Sequence, residues 1–239
     1  MSKLIRPVKR VDDVIVIGER HRESGSRSMV FEAWNEVTDE ESVGGVCVEA
    51  DPSLRYRDDG GGGVGGALVR AEANNIPRFY LDESVDDIIE AFGGRYSAYS
   101  YLKGLKKRFP PQDDGRVNVD VCSEIRSEIK EKYGEEAFHL VCENREEKMA
   151  RRAQWVSNEV DGVVLLVVGS GHFYPIISLL ENSCEPLSVS DERVRVCDRD
   201  MRGPWGVLID DCIDGLRELS VIAYDYIKKF RNEDSMSKM

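Results

Sequence analysis

Histidine is scarce in this chain, with three in 239 residues. The six cysteines (Cys47, Cys122, Cys142, Cys184, Cys197 and Cys212) include no C-x-x-C pair, which argues against a zinc knuckle or a dithiol redox motif. Several sit inside apolar segments, so the reading is reduced, buried thiols rather than a disulfide framework. No run approaches the ~18 apolar residues of a membrane span. The first residues, Met1 to Arg6, lack the apolar stretch of a secretory signal, so a cytoplasmic protein is expected. Positive charge is in deficit: the formal net charge is −12 and the pI about 4.9, which argues against nucleic acid or an anionic membrane surface as partner.

Two catalytic signatures are also missing. There is no G-x-S-x-G motif; Ser170 lies between Gly169 and Gly171 but lacks the spacing of a nucleophile elbow. The glycine-dense stretch Gly60 to Gly66 is not followed by Lys-Ser/Thr and so is not a P-loop. Together with Pro52 to Asp59 it reads as a flexible connector or lid, with a helix starting after it at Ala67.

What remains is a grammar used twice. Val14 to Ile17 is a continuous apolar run ending in Gly18-Glu19-Arg20-His21, and Val163 to Val168 ends in Gly169-Ser170-Gly171-His172. A continuous rather than alternating run marks a strand covered on both faces, as in a parallel sheet. Each run therefore delivers Gly-x-x-His to a strand's C-terminal tip. Gly45 to Asp51 is a further strand of this kind, ending in Glu49 and Asp51, and Pro77 to Asp82 is another. Helical periodicity lies between the first two, with Val30, Ala33, Trp34 and Val37 on one face.

The pattern predicts one α/β domain over 1–239: a mainly parallel sheet with flanking helices and its site at the strand C-terminal tips. A helical insertion is expected over about 84–134, a strand over 191–196 and a C-terminal amphipathic helix over about 210–231. Tyr96, Tyr99 and Tyr101 beside Lys103, Lys106, Lys107 and Arg108 read as an amphipathic helix covering the sheet. A long helical pattern from about Glu135 to Val160 has an inward stripe of Phe138, Met149, Ala153 and Val156, and Arg145 falls on that stripe. Either Arg145 snorkels to the helix edge, or it meets a carboxylate or substrate oxyanion.

Two imidazoles and a carboxylate suit a divalent metal with an open water position; His21, His172 and Glu49 form that set. Without metal, His21 or His172 serves as general base to a water. Glu19 or Glu49 then orients the base and Arg145 stabilises the oxyanion. Arg20, Asp51, Gly169 and Gly171 stand where they would line the substrate, with backbone N–H groups at the glycine turn available to an anion.

These segments, in this order, resemble the superfamily that joins TraB/PrgY, Tiki, GumN, ChaN-like and erythromycin-esterase-like proteins. Ile15 to His21 looks like its first Gly-x-x-His strand, and Val46 to Asp51 like its "V-x-x-E-x-D" strand. Arg145-Glu146-Glu147-Lys148-Met149-Ala150 looks like its Arg-(Asn/Asp)-x-x-Met-Ala helix, with Glu146 in place of Asn or Asp. Val167 to His172 looks like its "V-V-G-x-G-H". The resemblance covers roughly residues 13 to 181. It implies an α/β fold with both Gly-x-x-His motifs in one site and an inward Arg145. It also implies divalent-metal proteolysis (Mn, Co or Zn) as in Tiki relatives, or histidine–glutamate water activation as in the esterase-like branch. A soluble hydrolase of peptides or small molecules is thus expected, with homo-oligomers allowed. The alternative is a non-catalytic protein that binds a peptide, a small ligand or a tetrapyrrole.

Overall fold

A computed structural model describes residues 4–19, 24–50, 62–82, 85–109, 117–182 and 195–196. All belong to the first of the two units into which the chain divides, Met1–Cys197. Arg20, His21, Asp51, residues 191–194 and the anticipated C-terminal helix lie outside the described residues.

The described chain is α/β. Six strands form one sheet in the order β2-β3-β7-β4-β5-β8. The central four, β3 (Val14–Glu19), β7 (Val163–Gly169), β4 (Val43–Val48) and β5 (Arg78–Tyr80), run parallel. The edge strands β2 (Val8–Val11) and β8 (Arg195–Val196) are antiparallel to their neighbours. A separate two-stranded pair joins β1 (Leu4–Ile5) to β6 (Val117–Asn118).

Both faces of the sheet are covered, which is why β3 and β7 are buried at every position. Val14, Val16, Cys47, Val164, Leu166 and Val168 point to one face. There they pack against Met149, Ala153 and Val156 of α6 (Asn144–Glu159) and Phe173, Ile176 and Leu180 of α7 (Phe173–Glu181). Ile15, Ile17, Val46, Val48, Leu165 and Val167 point to the other, against α1 (Ser24–Glu40) and α2 (Gly63–Ala73). The period-2 alternation of a strand sorts the side chains into two cores.

Between β5 and α6 come α3 (Val85–Ala91), α4 (Arg95–Arg108) and α5 (Val119–Phe138). Asn118 caps α5, its side chain accepting from the Asp120 and Val121 amides at 3.0 and 3.4 Å. Gly134, at φ 89°, breaks its path near the end. A π-helical turn, His139–Glu143, then leads into α6, with the Asn144 amide bonding five residues back to the His139 carbonyl.

Two expectations need correction. α4 is amphipathic but does not cover the sheet: Ala98 and Tyr101 bury into a third core with Phe92, Ile129 and Phe138, which contains no strand residue. Tyr96 and Tyr99 stay exposed. Helix α2 starts at Gly63, four residues before Ala67, so half of the glycine stretch is helical and buried. The reason is steric. A Cβ on Gly63 would stand 2.8 Å from both Glu19 Oε2 and Val30 Cγ2, and one on Gly66 would stand 2.9 Å from Arg27 Cγ. These glycines let α2 approach β3 and α1 closely. The edge strand β2 carries no buried-strand signal, because its middle residues Lys9 and Arg10 are exposed charges, common on an edge strand.

No helix among the described residues is long and apolar enough to cross a membrane.

Candidate functional site

The two strands that carry the Gly-x-x-His grammar lie side by side. β3 and β7 pair in parallel register from Val14↔Val164 to Glu19↔Gly169, and β4 flanks β7 on its other side. β3 is followed in the chain by α1 and β4 by α2, both on one face, whereas β7 is followed by α7 on the opposite face. The C-terminal end of β7 is therefore a topological switch point, where open α/β sheets form their ligand crevices.

Arg145 organises this end. It enters from the first turn of α6 and is only 7% exposed. Nε and Nη2 donate to the two Asp82 carboxylate oxygens at 2.8 and 2.6 Å. Nη2 also donates to Glu49 Oε1 at 2.7 Å. Nη1 donates to the Val141 carbonyl, inside the π turn, at 2.9 Å, and lies 3.3 Å from His172 Nε2. Guanidinium has five N–H donors, and these contacts engage all of them. Burial works against the charge, but Glu49 and then Asp82 outweigh it and hold the guanidinium above its ordinary pKa.

Glu49 follows β4 and continues its alternation toward the α6 face. Besides Arg145 it accepts from the Gly169 amide, Oε2 to N being 2.5 Å, so one carboxylate ties α6 to the tip of β7. Asp82 lies two residues beyond β5, past the strand's alternation, and its amide bonds to the Ala50 carbonyl at 3.3 Å.

His172 closes the Gly169–Ser170–Gly171 turn, its amide bonding to the Gly169 carbonyl at 2.9 Å. Nδ1 stands 2.8 Å from Glu146 Oε1, while Nε2 faces Arg145 and lies 3.5 Å from Glu49 Oε1. The Arg145 N–H can only donate, so this contact is met by the tautomer that leaves a lone pair on Nε2 and the proton on Nδ1, where Glu146 accepts it. Glu146, 2% exposed, is in turn gripped by both terminal nitrogens of Arg126 from α5. Burial alone would raise the Glu146 pKa; His172 and then Arg126 outweigh it and bring it below the ordinary carboxylate value.

Glu19 does something different. Its position in β3 has the same parity as Ile15 and Ile17, so its carboxylate lies on the α1/α2 face, opposite Glu49. Oε2 accepts from the Gly63 amide at 2.5 Å, placing a carboxylate at the positive end of α2. The helix start that a glycine-rich segment offers to phosphate is thus taken by the chain's own anion. The Glu19 carbonyl accepts from the Ser170 amide at 2.7 Å, which ties it to the turn through the backbone.

Of the residues singled out in the sequence, Glu49, Arg145, Gly169 and His172 meet in one cluster. Gly171 lies in its turn, with open space where a Cβ would be. Glu19 stands on the other face, and Arg20, His21 and Asp51 lie outside the described residues. Asp82, Glu146 and Arg126 were not anticipated as members. Asp82 had a signal, since it ends its strand in a carboxylate as Glu49 does. Glu146 had a weaker one, as the neighbour of an inward arginine at the start of α6. Arg126 had none.

Of the three expected metal ligands, His21 lies outside the described residues, and His172 and Glu49 are both engaged by Arg145. The Nε2 lone pair and Glu49 Oε1 both face the Arg145 guanidinium, so a divalent ion between them would sit against a buried like charge. Among the described residues no group of three or more His, Cys, Asp or Glu is placed to hold a metal ion.

Set beside the models of known protein families, the curated proteins and the solved structures, the chain matches none.

Proposed function

We propose that this protein is a hydrolase of peptidase or esterase type, in which His172 activates the attacking water. The observation that carries the reading is the chain Arg126–Glu146–His172–Arg145–Glu49 at the switch point of the sheet, with Glu146, Arg145 and Glu49 buried and Arg126 and His172 half-buried. Clusters of buried, mutually perturbed charges at such a place are characteristic of reaction sites. Glu146 holds the Nδ1 proton, which leaves Nε2 as the basic nitrogen. At rest that nitrogen accepts from Arg145 Nη1. A substrate carbonyl oxygen that takes over this N–H would receive an oxyanion donor and free the Nε2 lone pair for a water proton in the same exchange.

The order of the four motifs supports a TraB-type relationship, which implies that both Gly-x-x-His motifs serve one site. A cytoplasmic location goes with the acidic charge and the scattered thiols. The metal-dependent version of the chemistry is less well supported than the metal-free one, because Arg145 already takes both described donors.

The test is turnover of ester and peptide panels by the full chain, with and without EDTA. The reading requires activity that survives EDTA, is lost in His172→Ala and falls about 10²–10⁴-fold in Glu146→Gln. Activity unchanged in His172→Ala overturns it. A second reading, a non-catalytic binder of a peptide or small ligand, draws on one observation: the Arg145 donors are saturated within the chain. Stoichiometric ligand without turnover would favour it.

A further inference from the structure

We infer that the α1/α2 face carries an anion site, in which Arg27 and Arg70 grip the phosphoryl group of a phosphate monoester. The site lies on the face of the sheet opposite the Glu49–Arg145–His172 cluster, and the inference holds whether or not that cluster hydrolyses anything.

Three observations carry it. The first is a missing partner. Arg6, Arg10, Arg78, Arg108, Arg126 and Arg145 each form an ion pair with a carboxylate. Among the described residues Arg27 and Arg70 form none, although Asp and Glu outnumber Lys and Arg by 45 to 33 in the chain. The Arg27 Nε is buried without an acceptor, and Arg70 makes one side-chain hydrogen bond, from Nη2 to the Asn35 side-chain oxygen. Most of the N–H donors of the two guanidiniums are therefore unused within the described chain. The second is position. Arg27 Cζ stands 5.3 Å and Arg70 Cζ 5.0 Å from the centroid of the same ring, Phe31, so one anion at the ring's edge is within reach of both. Packing already restrains them. Arg70 also covers the Trp34 ring, and Arg27 lies so close along Gly66 that a Cβ there would stand 2.9 Å from its Cγ. Binding thus has less side-chain freedom to remove. The third is access: both arginines are half-buried, so a ligand reaches them where water screens the charge only in part.

The chemistry selects the ligand. Attraction to the Phe31 ring holds each guanidinium but keeps two like charges close together, and a dianion between them removes that repulsion. A carboxylate carries one charge and is satisfied by a single guanidinium fork. A phosphate monoester brings nearly two charges and three acceptor oxygens, enough for two forks. The formal charge of −12 opposes any anion from afar, but salt screens that field beyond about 8 Å at physiological ionic strength. Contact with two guanidiniums then sets the sign. The Glu19 carboxylate, on the same face, bonds to the Gly63 amide and pairs with neither arginine.

The experiment follows the arginine Nε–H resonances of the full chain by NMR during titration with phenyl phosphate. Those of Arg27 and Arg70 are expected to shift together along one saturable curve while that of Arg95 stays in place. Arg27→Gln and Arg70→Gln should each weaken binding about tenfold or more. Lys103→Gln, which removes an exposed charge on α4, should leave it unchanged. The probe separates two sources of the phosphoryl group, and either result supports the site. Tighter binding of phenyl phosphate than of a phosphoserine peptide assigns it to a small phosphorylated molecule; the reverse assigns it to a phosphorylated segment of a partner protein. Phenylacetate bound as tightly as phenyl phosphate overturns the phosphoryl assignment. Binding that is unchanged in Arg27→Gln/Arg70→Gln overturns the site. So do wild-type Arg27 and Arg70 resonances that stay in place at millimolar phenyl phosphate, a result that needs no variant to fold.

Discussion

Arg145 meets Asp82 side-on, Nε and Nη2 each donating to one carboxylate oxygen, across 63 residues of chain. This forked pair fixes the orientation of the guanidinium plane, and with it the nitrogens that face Glu49 and His172. A lysine supplies the charge without the fork.

Arg145 should therefore be the most costly single charge to remove from the site. Arg145→Ala takes a buried counter-ion from Glu49 and Asp82 and is expected to cost about 3–5 kcal/mol. Arg145→Lys should fall between it and wild type. Urea unfolding measures both; a loss within error of zero for the alanine variant would show that the cluster contributes nothing to folding.

Much of the sheet was legible in the sequence, and the reason is physical. Val14–Ile17 and Val163–Val168 are covered on both faces, so burial dictates apolar residues without interruption. The edge strand Val8–Val11 lacks that constraint and leaves no such mark. At the site, the inward direction of Arg145 follows from its place on the α6 stripe. Its partners do not, because Glu49, Asp82 and His172 come from three strand tips that only the topology brings together. Sequence spacing likewise treated Glu19 and Glu49 as equivalent; strand parity sends them to opposite faces.

The lowered pKa of Glu146 has a defined pH signature. A carboxylate with a depressed folded-state pKa contributes stability that is fully present above its unfolded value of 4.5 and is lost as pH falls through the lower folded value. Glu146→Gln should be less stable than wild type at pH 7 by roughly 1–3 kcal/mol, the difference shrinking below about pH 4.5. Chemical denaturation at several pH values reads this out. A difference that stays constant down to pH 3 would rule out Glu146 as the source.

Gly63 should tolerate no side chain. Gly63→Ala puts a Cβ against Glu19 Oε2 and Val30 Cγ2 and is expected to destabilise by about 1–3 kcal/mol. Val30→Ala removes one of the two obstacles, so the double variant should lose less than the sum of the singles. Strict additivity would mean that the two positions do not touch.

The thiols should divide by reactivity. Cys47 is fully buried and its thiol is pushed up by burial; Cys142 is pushed up to about 11, again mainly by burial. Cys122 is half-buried, with Sγ 3.9 Å from Ser170 Oγ. Brief alkylation of native protein followed by peptide mapping should label Cys122 well before Cys47 and Cys142, which react only on unfolding. Early labelling of Cys47 would contradict the burial of β4.

The π turn at His139–Glu143 makes the winding of the chain, and not only its chemistry, a property of the site. Each residue advances a helix by about 100°. A π turn winds one extra residue into the rotation of an α turn, so deleting one residue there and letting an ordinary α-helix run on from Phe138 would leave Arg145 and Glu146 close to their present directions. Rewinding the same five residues as α-helix without a deletion would instead swing every later side chain of α6 by about that angle. Arg145 would then leave Asp82 and Glu49 while Glu146 left His172, with no residue of the cluster changed. Substitutions that force α winding on these five positions should thus be as damaging as substitution of the arginine itself.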